Sequence, residues 1–139
     1  MKTTTNNTEI LDAISKLLKK DIAPSELSDI IDNILFNYSR YLVLDEDNCG
    51  SNIDAASELY WLKTLKDILR NKEQLDKLSN LLNVEVSPLE LSEILDNILF
   101  QYATYIISDE EIIGASEDAP NQLYWLKKLR DLLRNKEQN

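Results

Sequence analysis

The sequence contains no histidine, one cysteine, two glycines and three prolines in 139 residues. Without histidine the chain lacks the usual general base, the commonest metal ligand and the usual pH switch. With Cys49 as the single cysteine, no intramolecular disulfide can form and no thiolate metal site is visible. The scarcity of glycine and proline leaves few sharp turns, which favours long helices over many short strands.

Long hydrophobic runs are also missing. No apolar stretch approaches the roughly 20 residues of a membrane-spanning helix, so we expect no membrane association. Residues 1–7 are polar and lack the apolar segment of a signal peptide. We therefore expect a flexible N-terminus and a cytoplasmic protein.

The formal net charge is −10, from 25 acidic and 15 basic residues. An acidic chain repels phosphate backbones at long range, which counts against direct nucleic-acid binding. It suits a partner with a basic surface, although solubility alone explains such a charge more simply.

The strongest pattern in the chain is an internal repeat. Residues 11–74 placed over residues 75–138 give 35 identities in 64 positions. This register indicates a tandem duplication. We call residues 8–74 the first repeat and residues 75–139 the second repeat. A lone unit of ~60 residues buries only about 60% of its chain surface, so we expect the two repeats to share one core.

Apolar residues spaced by three and four predict three helices in each repeat. In the first repeat the first helix begins after a cap at Asn7 or Thr8, and the second runs from Pro24 to about Leu44. The third helix begins near Asp54 or Ala55.

In the second repeat the second helix runs from Pro88 to about Ile107, and the third from about Ala119 to Arg134. Ser87 and Glu90 form a capping box at Pro88, whereas the first repeat has Ala23 in place of the capping serine.

No helix breaker separates the end of the first repeat from the start of the second. The spacing predicts one long helix over residues 55–82 that bridges the copies, with a kink near Asn71 as the alternative. The expected fold is all-α: a duplicated 64-residue three-helix unit that forms one pseudo-symmetric helical bundle.

Candidate chemistry is sparse. Carboxylates six residues apart, Glu26 with Asp32 and Glu90 with Asp96, lie on rather different helix faces, and a solvated face with a capping acid explains them better. The acidic loop after residue 44 resembles an EF-hand loop only in part, because two key ligand positions fail in both repeats. We expect no enzyme, no catalytic residue, no cofactor and no metal.

A basic stripe and its copy resemble a small nucleic-acid surface. The simpler interpretation is a solvated helix face with ion pairs between residues four apart, such as Lys63 with Asp67. The stripe comprises Lys63, Lys66, Arg70, Lys127, Arg130 and Arg134.

Four aromatic residues lie away from the main apolar stripe of their helices. They are Phe36, Tyr60, Phe100 and Tyr124. Exposed aromatic side chains concentrate at interaction surfaces, so we predict that these residues form one. The alternative for Phe36 and Phe100 is burial between the two repeats.

These observations favour a non-enzymatic protein–protein interaction module whose partner is another protein or a second copy in a homodimer. The alternative is a small acidic inhibitor, immunity-type or nucleic-acid-mimicking, that acts on a basic partner. Its predicted acidic patch comprises Asp45, Glu46, Asp47, Asp109, Glu110 and Glu111.

Overall fold

A computed structural model describes residues 2–44, 52–108 and 119–134, with side chains described for 8–42, 56–106 and 120–134. Within these residues the structure is helical and contains no strand, which confirms the predicted all-α class. The helices are α1 Lys2–Lys16, α2 Pro24–Leu44, α3 Asn52–Leu69, α4 Gln74–Asn80, α5 Pro88–Ser108 and α6 Ala119–Arg134. Over the described part of the chain, no helix combines the length and hydropathy that a membrane span requires.

Pro24 and Pro88 mark helix starts as predicted. α2 begins at Pro24 and α5 at Pro88, because proline at the first helical position lacks only a donor that would be unpaired there. α1 begins at Lys2, earlier than the predicted cap at Asn7 or Thr8. No proline or glycine interrupts residues 2–7, although threonine and asparagine in that segment have low helix propensity.

Both α1 and α4 end in a turn of π-helix, which the sequence did not predict. These turns cover Leu17–Asp21 and Leu81–Glu85. Each closes with a backbone bond from the residue that follows it, Ile22 N to Leu17 O at 3.1 Å and Val86 N to Leu81 O at 3.0 Å. A π turn widens the helix by one residue per turn, and each one carries two consecutive buried leucines.

The predicted continuous helix over residues 55–82 is wrong. α3 ends at Leu69 and α4 begins at Gln74, so the predicted long bridge is two helices joined by a turn. The Asn71 side chain accepts a hydrogen bond from the Glu73 backbone N–H at 3.0 Å. Asparagine competes in this way with the helical backbone, which gives the break near Asn71 its physical cause.

The start of α5 has the predicted serine cap. Ser87 Oγ accepts a hydrogen bond from the Glu90 backbone N–H at 3.1 Å. Ala23 occupies the same position before α2, and its carbonyl accepts the Leu27 backbone N–H at 3.0 Å. The backbone of Ala23 thus joins the helix as a cap would, without a side-chain acceptor.

We expect opposite effects from exchanging these two caps. Ser87→Ala removes a side-chain acceptor and should lower the free energy of unfolding by about 0.5–2 kcal/mol. Ala23→Ser supplies the missing acceptor and should raise it by a similar amount. Urea denaturation followed by circular dichroism measures both. A change of the same sign in the two variants would show that capping does not control these helix starts.

The helices pack as two hairpins that also contact each other. α2 packs on α3 and α5 packs on α6. The α2–α3 hairpin is antiparallel, since Ser28 Oγ donates to the carbonyl of Lys66 at 3.2 Å while Tyr38 bonds to Glu58. Contacts between the repeats join α1 with α4, α1 with α6, α2 with α6, and α3 with α5.

One core runs through both repeats. At its centre a small void is bounded by apolar side chains from all six helices. These side chains are Ile14, Leu27, Leu65, Leu69, Leu78, Leu82, Leu91, Leu129 and Leu133. Because neither repeat closes this centre alone, the described helices form one packed unit.

Candidate interaction surface

The four aromatic residues predicted as an interaction surface are all solvent-exposed. The exposed fractions are 63% for Phe36, 72% for Phe100, 54% for Tyr60 and 52% for Tyr124. Burial of the two phenylalanines between the repeats, the alternative drawn from the sequence, is therefore wrong. The repeats meet through other helix faces and leave both rings in solvent.

Phe36 lies in an open groove of about 610 Å³ on the outer face of α2. The groove residues Asp29, Asp32, Asn33 and Phe36 recur at intervals of three and four, so they share one face of the helix. An aromatic ring and two carboxylates thus lie side by side on the surface of the first repeat.

Phe100 lies in a second open groove, of about 690 Å³, formed by α5 and the α3 segment near its start. Its lining residues are Ser57, Glu58, Glu90, Glu93, Ile94, Asp96, Asn97 and Phe100. Asp96, Asn97 and Phe100 are the repeat counterparts of residues in the first groove. Four carboxylates make this second groove the more acidic one.

The carboxylates of the first groove are neutralised within the molecule. Asp29 accepts a hydrogen bond from Arg70 at 3.1 Å, and Asp32 pairs with Lys66 at 3.2 Å. These bonds bind α2 to α3 through part of the predicted basic stripe, which supports the solvated-face interpretation of that stripe. The predicted pair between Lys63 and Asp67 is also present, at 3.4 Å.

The second groove retains uncompensated charge. Asp96 forms an ion pair with Arg130, which also contacts Asp131 at 2.8 Å. Among the described residues, Glu90 and Glu93 have no basic partner within ion-pair distance. The two grooves therefore share residue types but differ in net charge.

Arg130 remains a fixed positive charge beside the second groove. Burial lowers the pKa of its guanidinium, but hydrogen bonds to Asp131 and Asp96, and the attraction of their charges, outweigh burial and raise that pKa above its ordinary value. The positive charge of Arg130 thus pairs with the carboxylates of Asp96 and Asp131.

Tyr60 and Tyr124 do not line either groove. Each packs edge-on against the tryptophan that follows it, with ring centroids 4.8 Å apart for Tyr60 and Trp61 and 4.9 Å apart for Tyr124 and Trp125. Lys128 lies 6.0 Å from the centre of the Tyr124 ring. Of the four predicted residues, the two phenylalanines thus line the grooves, and the two tyrosines each pack against a neighbouring tryptophan.

Buried polar side chains under the second groove were not singled out by the sequence. Glu58 is only 5% exposed. Its carboxylate accepts a hydrogen bond from Tyr38 Oη at 2.7 Å and a second from Asn97 Nδ2. Tyr38 belongs to the first repeat and Asn97 to the second, so the Glu58 carboxylate joins the two repeats beneath the second groove.

A second buried network crosses between the repeats. Asn37 Nδ2 donates to Tyr102 Oη at 3.0 Å, and Tyr102 Oη donates to Gln122 Oε1 at 2.8 Å. Tyr41 and Tyr105 stack nearby, with centroids 4.9 Å apart and an interplanar angle of 10°. Asn37 is only 8% exposed, because α5 supplies its hydrogen-bond partner.

Two further predictions concern the acidic patch and metal binding. The predicted acidic patch of Asp45, Glu46, Asp47, Asp109, Glu110 and Glu111 lies outside the described residues. Within the described residues no group of three or more histidine, cysteine, aspartate or glutamate side chains is placed to hold a metal ion.

Comparisons with protein-family models, with curated proteins and with solved structures found no match to this chain.

Proposed function

We propose that this chain is a non-enzymatic protein–protein interaction module that binds through its two grooves. The observation that carries the proposal is the exposure of Phe36 at 63% and Phe100 at 72%, each beside carboxylates on one helix face. Covering one such ring on binding contributes about 1.5–3 kcal/mol. Aromatic side chains of this kind dominate the binding energy of many interfaces.

The proposed partner is a protein with a basic surface. Carboxylates around each phenylalanine favour cationic side chains at the rim, and the net charge of −10 steers a basic protein towards the chain. A second copy of the chain, as a homodimer, is a less favoured partner because like charges would meet. Direct nucleic-acid binding is disfavoured for the same electrostatic reason. We place this activity in the cytoplasm, where a single unpaired cysteine is usual.

A small acidic inhibitor, immunity-type or nucleic-acid-mimicking, is the second candidate. The carboxylates Glu90 and Glu93, which have no basic partner among the described residues, favour it. The two candidates differ in what holds the complex together. Charge-driven binding weakens steeply as salt rises, whereas binding anchored by phenylalanine rings weakens less, because only its rim contacts are ionic.

We also propose that the repeats arose by tandem duplication and pack with pseudo-twofold symmetry. Support comes from the counterpart residues Asp29 and Glu93, Asn33 and Asn97, and Phe36 and Phe100, which line the two grooves. Such an arrangement offers a partner two related sites on one chain.

The test is affinity capture from the native host's lysate with a Phe36→Ser, Phe100→Ser variant beside the wild-type chain. We expect a partner that the wild type retains at high salt and that the double variant loses. Val84→Ser is the matched control, because Val84 is 72% exposed and lines neither groove. It should retain the partner.

Two results would count against the interaction module. A partner retained equally by the double variant would remove the grooves from binding. A partner lost by the wild type itself at high salt would favour the acidic inhibitor. Sedimentation velocity of the same proteins tests the homodimer, which requires a mass that falls in the double variant.

A further inference from the structure

The first repeat carries its own cation over the groove phenylalanine. The guanidinium carbon of Arg40 lies 5.9 Å from the centre of the Phe36 ring. Arg40 follows Phe36 by four residues, so the two side chains are neighbours on the surface of α2. The distance falls within the range of a cation–π contact, in which the guanidinium lies over the aromatic ring.

The second repeat has the same ring without the arginine. The position four residues after Phe100 is Thr104, whose hydroxyl donates to the Phe100 carbonyl at 2.8 Å. Within the described residues, no lysine or arginine lies over the Phe100 ring. Phe100 is also more exposed than Phe36, at 72% against 63%. The Phe36 ring thus carries a cation from its own repeat, whereas the Phe100 ring carries none from the described residues.

The two grooves also differ in how far their carboxylates are neutralised. In the first groove, ion pairs with Arg70 and Lys66 neutralise the two aspartates. In the second groove, Glu90 and Glu93 line the surface beside Phe100 with no basic partner among the described residues. An aromatic face and uncompensated carboxylates in one groove are complementary to a cationic side chain.

We propose that the Phe100 groove binds an arginine side chain of a partner protein, in the way that Arg40 covers Phe36 in the first repeat. The guanidinium stacks on the Phe100 ring and donates hydrogen bonds to the carboxylate of Glu93, which lies two helical turns earlier on the same face of α5. This inference rests on the proposed function and narrows it, because it makes the two grooves unequal and names the group that the second one takes.

Arginine fits this groove better than lysine. A guanidinium is planar, stacks on aromatic rings and sheds its water more readily than an ammonium group. It can also donate to a carboxylate through two parallel bonds. The groove should therefore discriminate between two peptides of equal charge.

The test is a titration of the full-length ¹⁵N-labelled chain with a capped peptide of alternating alanine and arginine, followed by NMR. A peptide with lysine in place of arginine is the charge-matched probe. We expect amide shifts at Glu93, Asn97 and Phe100, and clearly weaker binding of the lysine peptide.

Variants make the assignment specific. Thr104→Arg places an arginine where the first repeat has Arg40, and we expect it to weaken arginine-peptide binding about fivefold to tenfold by occupying the groove. Val84→Arg adds the same charge away from the groove and should leave the affinity unchanged. Glu93→Gln removes one groove carboxylate and should weaken binding about threefold.

Three outcomes overturn the inference: equal binding of both peptides, shifts that map to another surface, or a Thr104→Arg variant that binds like wild type. Each can occur while partner capture still depends on Phe36 and Phe100, so the proposed function would survive. Conversely, an arginine site at Phe100 combined with partner capture indifferent to both phenylalanines would refute the proposed function alone.

Discussion

Replacing Leu91 with alanine is expected to lower the free energy of unfolding by about 2–5 kcal/mol. Leu91 is fully buried and borders the central void with side chains from the other five helices. Truncation removes apolar burial and leaves a larger cavity that six packed helices cannot close by moving. Urea denaturation monitored by circular dichroism and by tryptophan fluorescence measures the change.

Leu89→Ala is the matched control for this prediction. Leu89 precedes Leu91 by two residues in the same helix but is 43% exposed. Its truncation should change stability by no more than about 0.5 kcal/mol. Equal losses in the two variants would mean that the shared core does not hold the repeats together as described.

Replacing Tyr102 with phenylalanine is expected to cost about 1–3 kcal/mol, although it removes a single oxygen atom. That hydroxyl, on a residue 2% exposed, accepts from Asn37 and donates to Gln122. Its loss leaves an amide donor and an amide acceptor buried without these partners. Because Asn37 lies in the first repeat, the variant weakens the contact between the repeats.

Two comparisons isolate the effect of the hydroxyl. Tyr60→Phe removes a hydroxyl from a ring that is 54% exposed and should change stability by less than about 0.5 kcal/mol. A double-mutant cycle with Asn37→Ala should give a coupling energy of about 0.5–3 kcal/mol with Tyr102→Phe. Additive effects would contradict a direct bond between the two side chains.

The sequence predicted some helix starts correctly but not all, since α1 begins at Lys2 and α3 at Asn52, each earlier than predicted. Pro24 and Pro88 begin α2 and α5 as expected, because proline fixes the backbone angle of the first turn and lacks a donor. Local chemistry decides these positions, and local chemistry is visible in a single sequence.

The break between the repeats was harder to predict. No proline or glycine separates Leu69 from Leu75, yet the chain turns between them through the bond from the Glu73 N–H to Asn71. Whether an asparagine side chain or the helical backbone prevails depends on where the flanking helices find apolar partners. Packing between the repeats decides this outcome, and the spacing of residues along one sequence does not reveal that packing.

The same limit applies to the candidate site. The apolar pattern identified Phe36 and Phe100 as residues off the main stripe, but their exposure follows from which helix faces the repeats bring together. Asn37 shows the converse, since this polar residue is buried by a partner residue from α5. The spacing within one helix cannot report what a distant helix covers.

The short turn between α3 and α4 keeps the two halves of the core within reach of each other. With only residues 70–73 in the connection, each half meets its counterpart at a local concentration set by the chain and not by the solution, of the order of millimolar for short links. Assembly of the six helices is therefore a first-order event. Dilution, which separates the subunits of an obligate dimer, leaves these two halves joined.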